Sequence, residues 1–301
     1  MRVPVSFIAA LVLAGCNSLL GITDPKAAHD DDVPHDAPVD VHTESGDRVE
    51  ITIGDFSLAI QQATHLHAKI VHKDGSSGDI TAQATWTTGD VAIAFAATTP
   101  GEIDGIASGS TSVTASLGDA TPASIVATVT DKACHVTINE VQAGGALSAG
   151  DEWIEVINPC VSGIDLSGLR LVYRAASATG SAPASDTNQM VSFATETLAS
   201  GQLHLYAGPN FPGAKDGGWN MGLMQANSGA VAIRDATDAI IDSVAYGDCD
   251  PGHPFIEKAE APGLTNGKSV ARLPFDGHDL DDNSTDFVLV DTPTPHASNV
   301  K

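Results

Sequence analysis

The stretch HLHAKIVHKDG, residues 65–75, decides the fold class of this chain. Three of its apolar residues alternate with polar ones, namely Leu66, Ala68 and Ile70. Asp74-Gly75 then supplies a hairpin turn. The same period of two recurs at 49–53 and at 91–95, shortly before a Pro100-Gly101 turn. Alternation with turns about every ten residues predicts an antiparallel β-sandwich whose core face carries these apolar residues.

The composition favours short strands over a helical bundle. The 301 residues suggest about two domains. Charged residues make up 17% and aromatic residues 5% of the chain, while 42% of the residues are hydrophobic and can build real cores. The 38 acidic and 14 basic residues give a net charge of −24. Such a charge repels phosphate backbones, which argues against nucleic acid as a general partner.

The first folded unit is expected to span residues 48–131. Its segments 73–76, 84–88 and 101–115 resemble the group 2 bacterial immunoglobulin-like domain. This resemblance covers nearly the whole unit and implies a spacer or adhesive module of surface proteins rather than a catalytic domain. In this interpretation Trp86 is a large buried anchor of the sandwich.

The second folded unit is expected to span residues 132–301, and it resembles a lamin-tail domain in its bacterial form. Motif blocks occur in order at 138–141, 151–159, 164–171, 198–205, 227–235, 241–247 and 269–272. The chain departs from that family at Leu169, where Trp is usual, and in long inserts near 174–190, 206–226 and 248–267. The resemblance implies a second immunoglobulin-like β-sandwich. Bacterial members of that family accompany secreted nucleases, hydrolases and surface proteins as non-catalytic modules.

The amino terminus has the features of a secretory signal. A positive charge precedes an apolar run at 5–13 that is too short to span a bilayer. The run ends in Leu13-Ala14-Gly15-Cys16, which resembles the lipobox of bacterial lipoproteins. The resemblance implies a signal peptide at 1–15 and a lipid on Cys16; the alternative is an ordinary signal peptide with an accidental cysteine. Asn17 stands where inner-membrane retention prefers Asp, which favours the outer membrane of a Gram-negative envelope.

Residues 16–47 are expected to form a disordered acidic tether. Beyond Cys16 the segment carries eight acidic residues and one lysine, with three prolines, so it cannot build a core. It would hold the folded units away from the membrane to which the lipid binds them. An alternative is a divalent metal site at His29, His35 and His42, but their spacing fixes no geometry.

Three cysteines remain for disulfide chemistry. A hairpin that pairs Val141 with Trp153 would join two strands of the second unit, and its register places Cys134 opposite Cys160. Because an envelope compartment permits disulfides, Cys134–Cys160 is the expected bridge. Bridges from Cys249 to either cysteine stay open, since three cysteines allow three pairings.

The same register raises an enzymatic hypothesis. It sets Glu140 diagonal to Glu152 on one sheet face, as a general acid and base would be. No nearby motif supplies a nucleophile, a metal or oxyanion donors. The lamin-tail resemblance implies instead that acids at these strand positions accept hydrogen bonds from loop backbone. We therefore expect no catalytic residues and no enzyme.

The densest acidic cluster of the folded part lies between residues 276 and 286. Calcium favours oxygen ligands of this kind, and the candidate ligands are Asp276, Asp279, Asp281, Asp282 and Asp286. The spacing departs from the EF-hand loop, and Asp is also a preferred turn former. A structural loop is the favoured interpretation and a calcium site the alternative. No other cofactor is expected.

His65 and His67 have half of the ligands of a zinc site, because residues two apart on a strand share one face. No third ligand is evident from the spacing. Leu66, Ala68 and Ile70 are expected to point into the core. Because successive strand residues point to opposite faces, we expect both histidines to face solvent.

Together these features predict an all-β protein with two tandem immunoglobulin-like β-sandwich domains behind a lipidated tether. The expected function is adhesion, scaffolding or interaction at the cell envelope, with the membrane as one partner and an unknown protein or glycan as another. The alternative is an accessory carbohydrate- or calcium-binding module that partners secreted hydrolases.

Overall fold

The computed structural model describes residues 43, 46–145, 148, 150–180, 182–183, 186 and 188–299. Within these residues the chain forms 22 strands and one helix of a single turn. The predicted all-β fold is therefore confirmed. The predicted signal peptide at 1–15, Cys16 and most of the predicted tether lie outside the described residues.

The first ten strands build three small sheets, and we call this region the first part. Their bounds are β1 (Arg48–Ile51), β2 (Phe56–Ile60), β3 (Ala63–His65), β4 (Ala68–Val71), β5 (Ser77–Asp79), β6 (Thr85–Thr88), β7 (Ala94–Ala96), β8 (Glu102–Gly105), β9 (Gly109–Ser116) and β10 (Ala123–Ala133). The sheets have the orders β1-β4-β5, β2-β10-β9-β6 and β3-β8-β7. Within them β2 and β10 run parallel and the other neighbours antiparallel.

The alternation at residues 65–70 is confirmed. Its three apolar side chains are at most 1% exposed, namely Leu66, Ala68 and Ile70. His65 and His67 are exposed, as predicted. Gly75 adopts a φ of 85° in the turn between β4 and β5, a conformation that favours glycine. Trp86, expected as a large buried anchor, is only partly buried against this core.

Of the three apolar residues in the third alternating segment, only Ile93 packs against the core, which corrects the prediction. Val91 is 63% and Phe95 is 45% exposed, and the buried residue is Ala94. Ala94 lies opposite Gly105 where β7 pairs with β8. A Cβ on Gly105 would lie 2.4 Å from the carbonyl oxygen of Ala59. The core side of the β7–β8 pair therefore has room only for small side chains such as Ala94. The larger side chains of Val91 and Phe95 point toward solvent.

The remaining strands and the helix form the second part. Their bounds are β11 (Thr137–Gln142), β12 (Trp153–Ile157), β13 (Ile164–Asp165), β14 (Arg170–Ala175), β15 (Asn188–Ser192), β16 (Thr197–Leu198), β17 (Leu203–Ala207), β18 (Gly217–Gly218), β19 (Gly229–Arg234), β20 (Ile240–Tyr246), β21 (Ser269–Arg272), α1 (Asn283–Asp286) and β22 (Phe287–Val290). The sheets have the orders β18-β17-β12-β11-β21-β22, β15-β14-β19-β20 and β13-β16.

The six-stranded and four-stranded sheets of the second part share one apolar core. Ile138 and Ile154 from the first of these sheets and Tyr173 and Val231 from the second belong to the same buried cluster. Each of these side chains is at most 2% exposed. Two sheets that bury one face each against a common core make a β-sandwich, as predicted.

A β-bulge at Asn139 corrects part of the predicted register between β11 and β12. On the side nearer Cys134 the predicted register holds, but beyond the bulge Val141 lies opposite Ile154 rather than Trp153. A bulge adds one residue to one strand and re-aims the side chains around it. Every pairing beyond Asn139 is therefore displaced by one position.

The two parts contact each other directly. The ring of Phe275 packs edge-on against Phe56 in the core of the first part, with 6.0 Å between the ring centroids. The N–H of Ala63 donates to the carbonyl of Pro159 at 2.8 Å. Apolar packing and backbone pairing thus join the two sandwiches.

Residues 42–301 form one compact unit. The predicted boundary between tandem domains, after residue 131, falls inside β10 and stays a prediction. In the part of the chain that the structure describes, no helix is long and apolar enough to cross a membrane.

Candidate functional site

Glu140 on β11 anchors the segment 291–299 to the outer face of the six-stranded sheet. Its side chain is 0% exposed. The carboxylate accepts hydrogen bonds from the Ser269 hydroxyl and from Thr294, whose N–H lies 3.2 Å and whose hydroxyl lies 2.9 Å away. Burial raises the pKa of Glu140, and these hydrogen bonds oppose the shift.

Glu155 lies opposite Glu140 on β12 and anchors the same segment two residues further on. Its carboxylate accepts the N–H of His296 at 2.6 Å and the side-chain amide of Asn139 at 3.2 Å. Burial raises the pKa of Glu155 to about 8, and the charges of Glu140 and Asp276 add to the increase. In the folded protein Glu155 is therefore mostly protonated at neutral pH.

Asp276 provides a third anchor. Its Oδ1 accepts the N–H of Asn299 at 2.9 Å and the side-chain amide of Asn139 at 3.0 Å. The side-chain amide of Asn299 in turn donates to the carbonyl of Arg272 at 3.1 Å. We call Glu140, Glu155 and Asp276 the outer-face carboxylates, because together they bind three residues of one covering segment.

Glu152 anchors a different loop. Its carboxylate accepts the indole N–H of Trp219 at 2.6 Å and the backbone N–H groups of Leu223 at 2.6 Å and Met224 at 2.7 Å. Burial raises the pKa of Glu152, and the three hydrogen bonds oppose the shift. These donors lie within the long insert near 206–226. The glutamate thus holds that insert against the sandwich.

The enzymatic hypothesis required Glu140 and Glu152 to share a face as an acid–base pair, and the register corrects this. Beyond the bulge Glu140 lies opposite Glu155. Glu140, Glu152 and Glu155 each accept a hydrogen bond from loop backbone. These contacts confirm the expectation that acids at these strand positions serve as acceptors for loop N–H groups.

The five aspartates predicted as calcium ligands each have a protein partner. The pairs are Asp276 with Asn299, Asp279 with Arg272, Asp281 with Lys132, Asp282 with Lys258 and Asp286 with Arg272. Asp279 and Asp286 share Arg272, and the other three aspartates each have a different partner. This geometry agrees with the structural-loop interpretation, and calcium binding stays a prediction.

Arg272 lies at the centre of a buried ion network. Its guanidinium is fully buried and contacts Asp242 at 2.8 Å and both Asp279 and Asp286 at 3.3 Å. It also lies 4.5 Å from the ring centroid of Phe287. These contacts connect β21 with β20, α1 and β22.

One set of carboxylates beside Arg272 has the spacing of metal ligands. Single oxygens of Asp242, Glu257 and Asp279 lie within 4.8 Å of one another, and no other such set of three occurs among the described residues. Burial raises the pKa of Glu257 to about 8, and the charge of Asp242 adds to the increase. Arg272 binds Asp242 and Asp279, while the Asn283 amide donates to Glu257 at 2.8 Å. Protein groups already fill the role that a cation would have here.

Cys134 and Cys160 form a disulfide, with their Cα atoms 5.7 Å apart, which confirms the predicted bridge. Cys249 is free and buried, so its alternative pairings are excluded. Burial raises the pKa of the Cys249 thiol to about 11, which keeps it protonated and unreactive. The predicted lipid attachment at Cys16 lies outside the described residues.

A cleft of about 600 Å³ lies between the two parts. The wall from the first part includes Thr64, His65 and Glu102, and the wall from the second part includes Pro159 and Asp276. His65 on β3 lies directly opposite Glu102 on β8. The cleft is therefore lined by groups that the chain brings together only on folding.

Both predicted histidines line this cleft. His67 Nδ1 lies 4.0 Å from Asp79, and His65 pairs across the ladder with Glu102. Neither imidazole belongs to a close three-ligand set among the described residues. Glu102 is not predicted by any local sequence pattern, because β3 and β8 are distant in sequence and pair only in the fold.

No family model matches this chain, and no curated protein matches it. Among solved structures it is similar to domains 4–9 of the surface layer protein SbsC, at 12% identity and a TM-score of 0.29, over 65% of this chain and 30% of that one. It is also similar to a DUF4876 family protein from Bacteroides thetaiotaomicron, at 12% identity and a TM-score of 0.32, over 82% of this chain and 92% of that one. The chain spans less than a third of the SbsC structure. At these low scores neither likeness assigns a function.

Proposed function

We propose that this chain is a lipid-anchored protein of the cell envelope that acts as a non-catalytic adhesion, scaffolding or interaction module. The observation that carries the proposal is Leu13-Ala14-Gly15-Cys16 at the end of an apolar run. A cysteine at that place in a signal peptide is the acceptor for a diacylglycerol anchor. The acidic segment that follows is suited to hold folded domains away from the bilayer.

The cysteine chemistry of the folded part supports an envelope location. Cys134–Cys160 is a structural disulfide, and such bonds persist in oxidising compartments and are rare in the cytosol. The outer membrane of a Gram-negative cell is the location that we propose. Asn17, rather than Asp, after the cysteine supports that choice.

The roles of the buried acids support a non-catalytic function. Glu140, Glu152 and Glu155 hold loop backbone, and the acids around Arg272 neutralise a buried guanidinium. Two β-sandwiches in series, resembling a bacterial immunoglobulin-like domain and a lamin-tail domain, suit a module that presents a surface rather than one that turns over a substrate.

Metabolic labelling with palmitate tests the anchor. Cells that express the wild-type chain should incorporate label into this protein, and the Cys16→Ala variant should lose it. Cys249→Ala is the matched control, because it makes the same substitution at a cysteine outside the proposed signal, and it should keep the label. Undiminished labelling of Cys16→Ala would contradict the proposal.

A further inference from the structure

Two histidines and a glutamate of the first part line the cleft together, namely His65, His67 and Glu102. Asp276 is the one other titratable residue of its described lining, which contains no Lys or Arg. Both histidines are exposed, and residues two apart in an extended segment point to the same side. Two imidazoles and one carboxylate are a donor set found at zinc sites with three protein ligands.

The strand pairing brings the side chains of His65 and Glu102 close together. These residues lie directly opposite each other where β3 pairs with β8. The next pair along the ladder is hydrogen-bonded, because the N–H of Leu66 donates to the carbonyl of Gly101 at 2.8 Å. His65 and Glu102 are therefore a non-hydrogen-bonded pair, in which Cα atoms are about 4.5 Å apart and side chains approach most closely. One ion can contact both side chains.

The side chains of His65 and Glu102 are also not committed to other contacts. Among the described residues neither side chain makes a hydrogen bond or an ion pair. Asp276 differs, since its carboxylate already accepts hydrogen bonds from Asn299 and Asn139, and we do not count it as a ligand. The imidazole and the carboxylate on the β3–β8 wall can therefore bind an ion without breaking a contact of the folded chain.

A carboxylate outside the cleft orients His67. The Nδ1 atom of His67 lies 4.0 Å from the Oδ2 atom of Asp79. Asp79 is itself held in place, because it accepts the N–H of Thr81 at 3.0 Å. Histidines that bind a metal commonly direct their second ring nitrogen toward a carboxylate in this way. With Nδ1 facing Asp79, Nε2 is the nitrogen of His67 that is left for an ion.

Closure around an ion requires rotation of side chains. The ligand atoms of His65, His67 and Glu102 do not all lie within 4.8 Å of one another in the structure. Both imidazoles are exposed, and exposed side chains exchange rotamers within nanoseconds or less. The net charge of −24 favours the approach of a cation.

We propose that His65, His67 and Glu102 bind a Zn²⁺ ion at the wall of the cleft. These three ligands supply two nitrogens and one oxygen, and they leave a fourth position for water. Calcium does not suit this donor set, because it takes about six to eight oxygen ligands. This inference goes beyond the proposed function, since it requires neither a lipid anchor nor a surface location.

Calorimetric titration of the metal-free full chain with Zn²⁺ tests whether the site exists. Three histidines of the acidic tether are a second possible source of binding, so the titration is repeated in a tether variant that combines His29→Ala, His35→Ala and His42→Ala. We expect this tether variant to keep one saturable Zn²⁺ site per chain, which excess Ca²⁺ does not weaken. Loss of saturable binding in the tether variant, or displacement of Zn²⁺ by Ca²⁺, would overturn the proposal.

Further substitutions in the tether variant test the location. His65→Ala and Glu102→Gln each remove a ligand and should weaken Zn²⁺ binding by more than about 100-fold, whereas Asp79→Asn removes only an orienting group and should weaken it roughly tenfold. His72→Ala is the matched control, since His72 pairs with Asp47 away from the cleft lining, and it should leave Zn²⁺ binding unchanged. Circular dichroism checks folding, and two ligand variants leave one test if the other misfolds. Undiminished Zn²⁺ binding in a folded ligand variant would refute the assignment.

Discussion

The two parts of the molecule are both β-rich, but they bury different kinds of side chain. In the first part the core is apolar, and among described residues 46–133 Asp47 is the one charged side chain that is buried. Among the described residues of the second part, six charged side chains are 0% exposed, namely Glu140, Glu152, Glu155, Arg174, Arg272 and Asp286. The first part is therefore held mainly by apolar burial, and the second part also by charge networks.

This difference follows from the connections between strands. In the first part the turn at Asp74-Gly75 satisfies its own backbone, since the N–H of Ser76 donates to Asp74 at 2.8 Å. In the second part a long insert and the segment 291–299 cover the sheets, and their buried N–H groups need acceptors. The strand carboxylates supply those acceptors. Buried acids in such a sandwich can therefore be structural rather than catalytic.

The largest contrast is expected from arginine substitutions in the two parts. Arg272→Met leaves Asp242 and Asp286 buried without their counter-charge and should lower the free energy of unfolding by roughly 3–5 kcal/mol. Arg48→Met is the matched control, because Arg48 pairs with Glu50 at the surface, and it should cost less than about 1 kcal/mol. Urea denaturation followed by tryptophan fluorescence measures both. Equal losses would contradict the proposed difference between the parts.

Removal of the disulfide should have the next largest effect. The bridge closes a loop with a sequence separation of 26, so the Cys134→Ser, Cys160→Ser double variant should lose about 3.5 kcal/mol on the chain-entropy model. Thermal denaturation of the oxidised wild type and of this variant measures the loss. Reductant should destabilise the wild type to a similar extent and leave the variant unchanged. If reductant also destabilised the double variant, the loss of stability in the wild type could not be assigned to the Cys134–Cys160 disulfide.

The buried glutamates predict a pH dependence that belongs to the second part. Glu155 has a pKa of about 8 in the folded protein against an ordinary value of 4.5, and Glu257 also has a pKa of about 8. Above pH 4.5 the unfolded chain loses these protons while the folded chain keeps them, so stability falls as pH rises toward 8. The slope can reach about 1.4 kcal/mol per pH unit for each group.

Glu155→Gln sharpens this test, since the amide resembles the protonated carboxyl. Denaturation between pH 5 and 8 should show a shallower decline in the variant than in the wild type. Glu50→Gln in the first part, where Glu50 is only partly buried and hydrogen bonds from Lys69 and Arg48 lower its pKa, should keep the wild-type slope. Parallel pH profiles for wild type and Glu155→Gln would rule out the raised pKa.

The smallest effect is expected at an apolar residue that the alternation wrongly assigned to the core. Val91→Thr should change stability by less than about 0.5 kcal/mol, because Val91 is 63% exposed. Val113→Thr makes the same substitution at a residue that is 0% exposed and should cost roughly 1–3 kcal/mol. Chemical denaturation compares the two. A large loss in Val91→Thr would restore the original assignment.

The sequence predicted those features that depend on local pattern. Alternation around Leu66 and the strand pairing that brings Cys134 to Cys160 follow from the period of a β-strand, which neighbouring residues reveal. The bulge at Asn139 was missed because an extra residue in one strand leaves the apolar pattern on either side intact. It nevertheless changed the partner of Glu140 from Ile154 to Glu155.

The candidate sites depend on contacts between distant segments, which no local pattern records. Asp242 and Arg272 lie 30 residues apart in sequence, and Arg272 was recognised only as part of a motif block. The dense acidic stretch after residue 275 suggested calcium, because a sequence shows acids together without showing the base that each contacts. The cleft beside Glu102 needs both parts folded.

Hydrogen exchange at the amide of His296 tests most directly whether buried carboxylates anchor loop backbone. In the wild type this N–H donates to Glu155 at 2.6 Å and should be protected. Glu155→Leu removes the acceptor and should greatly accelerate exchange at His296, while the core amide of Ile154 stays protected. Unchanged protection at His296 in the folded variant would contradict the structural role of these acids.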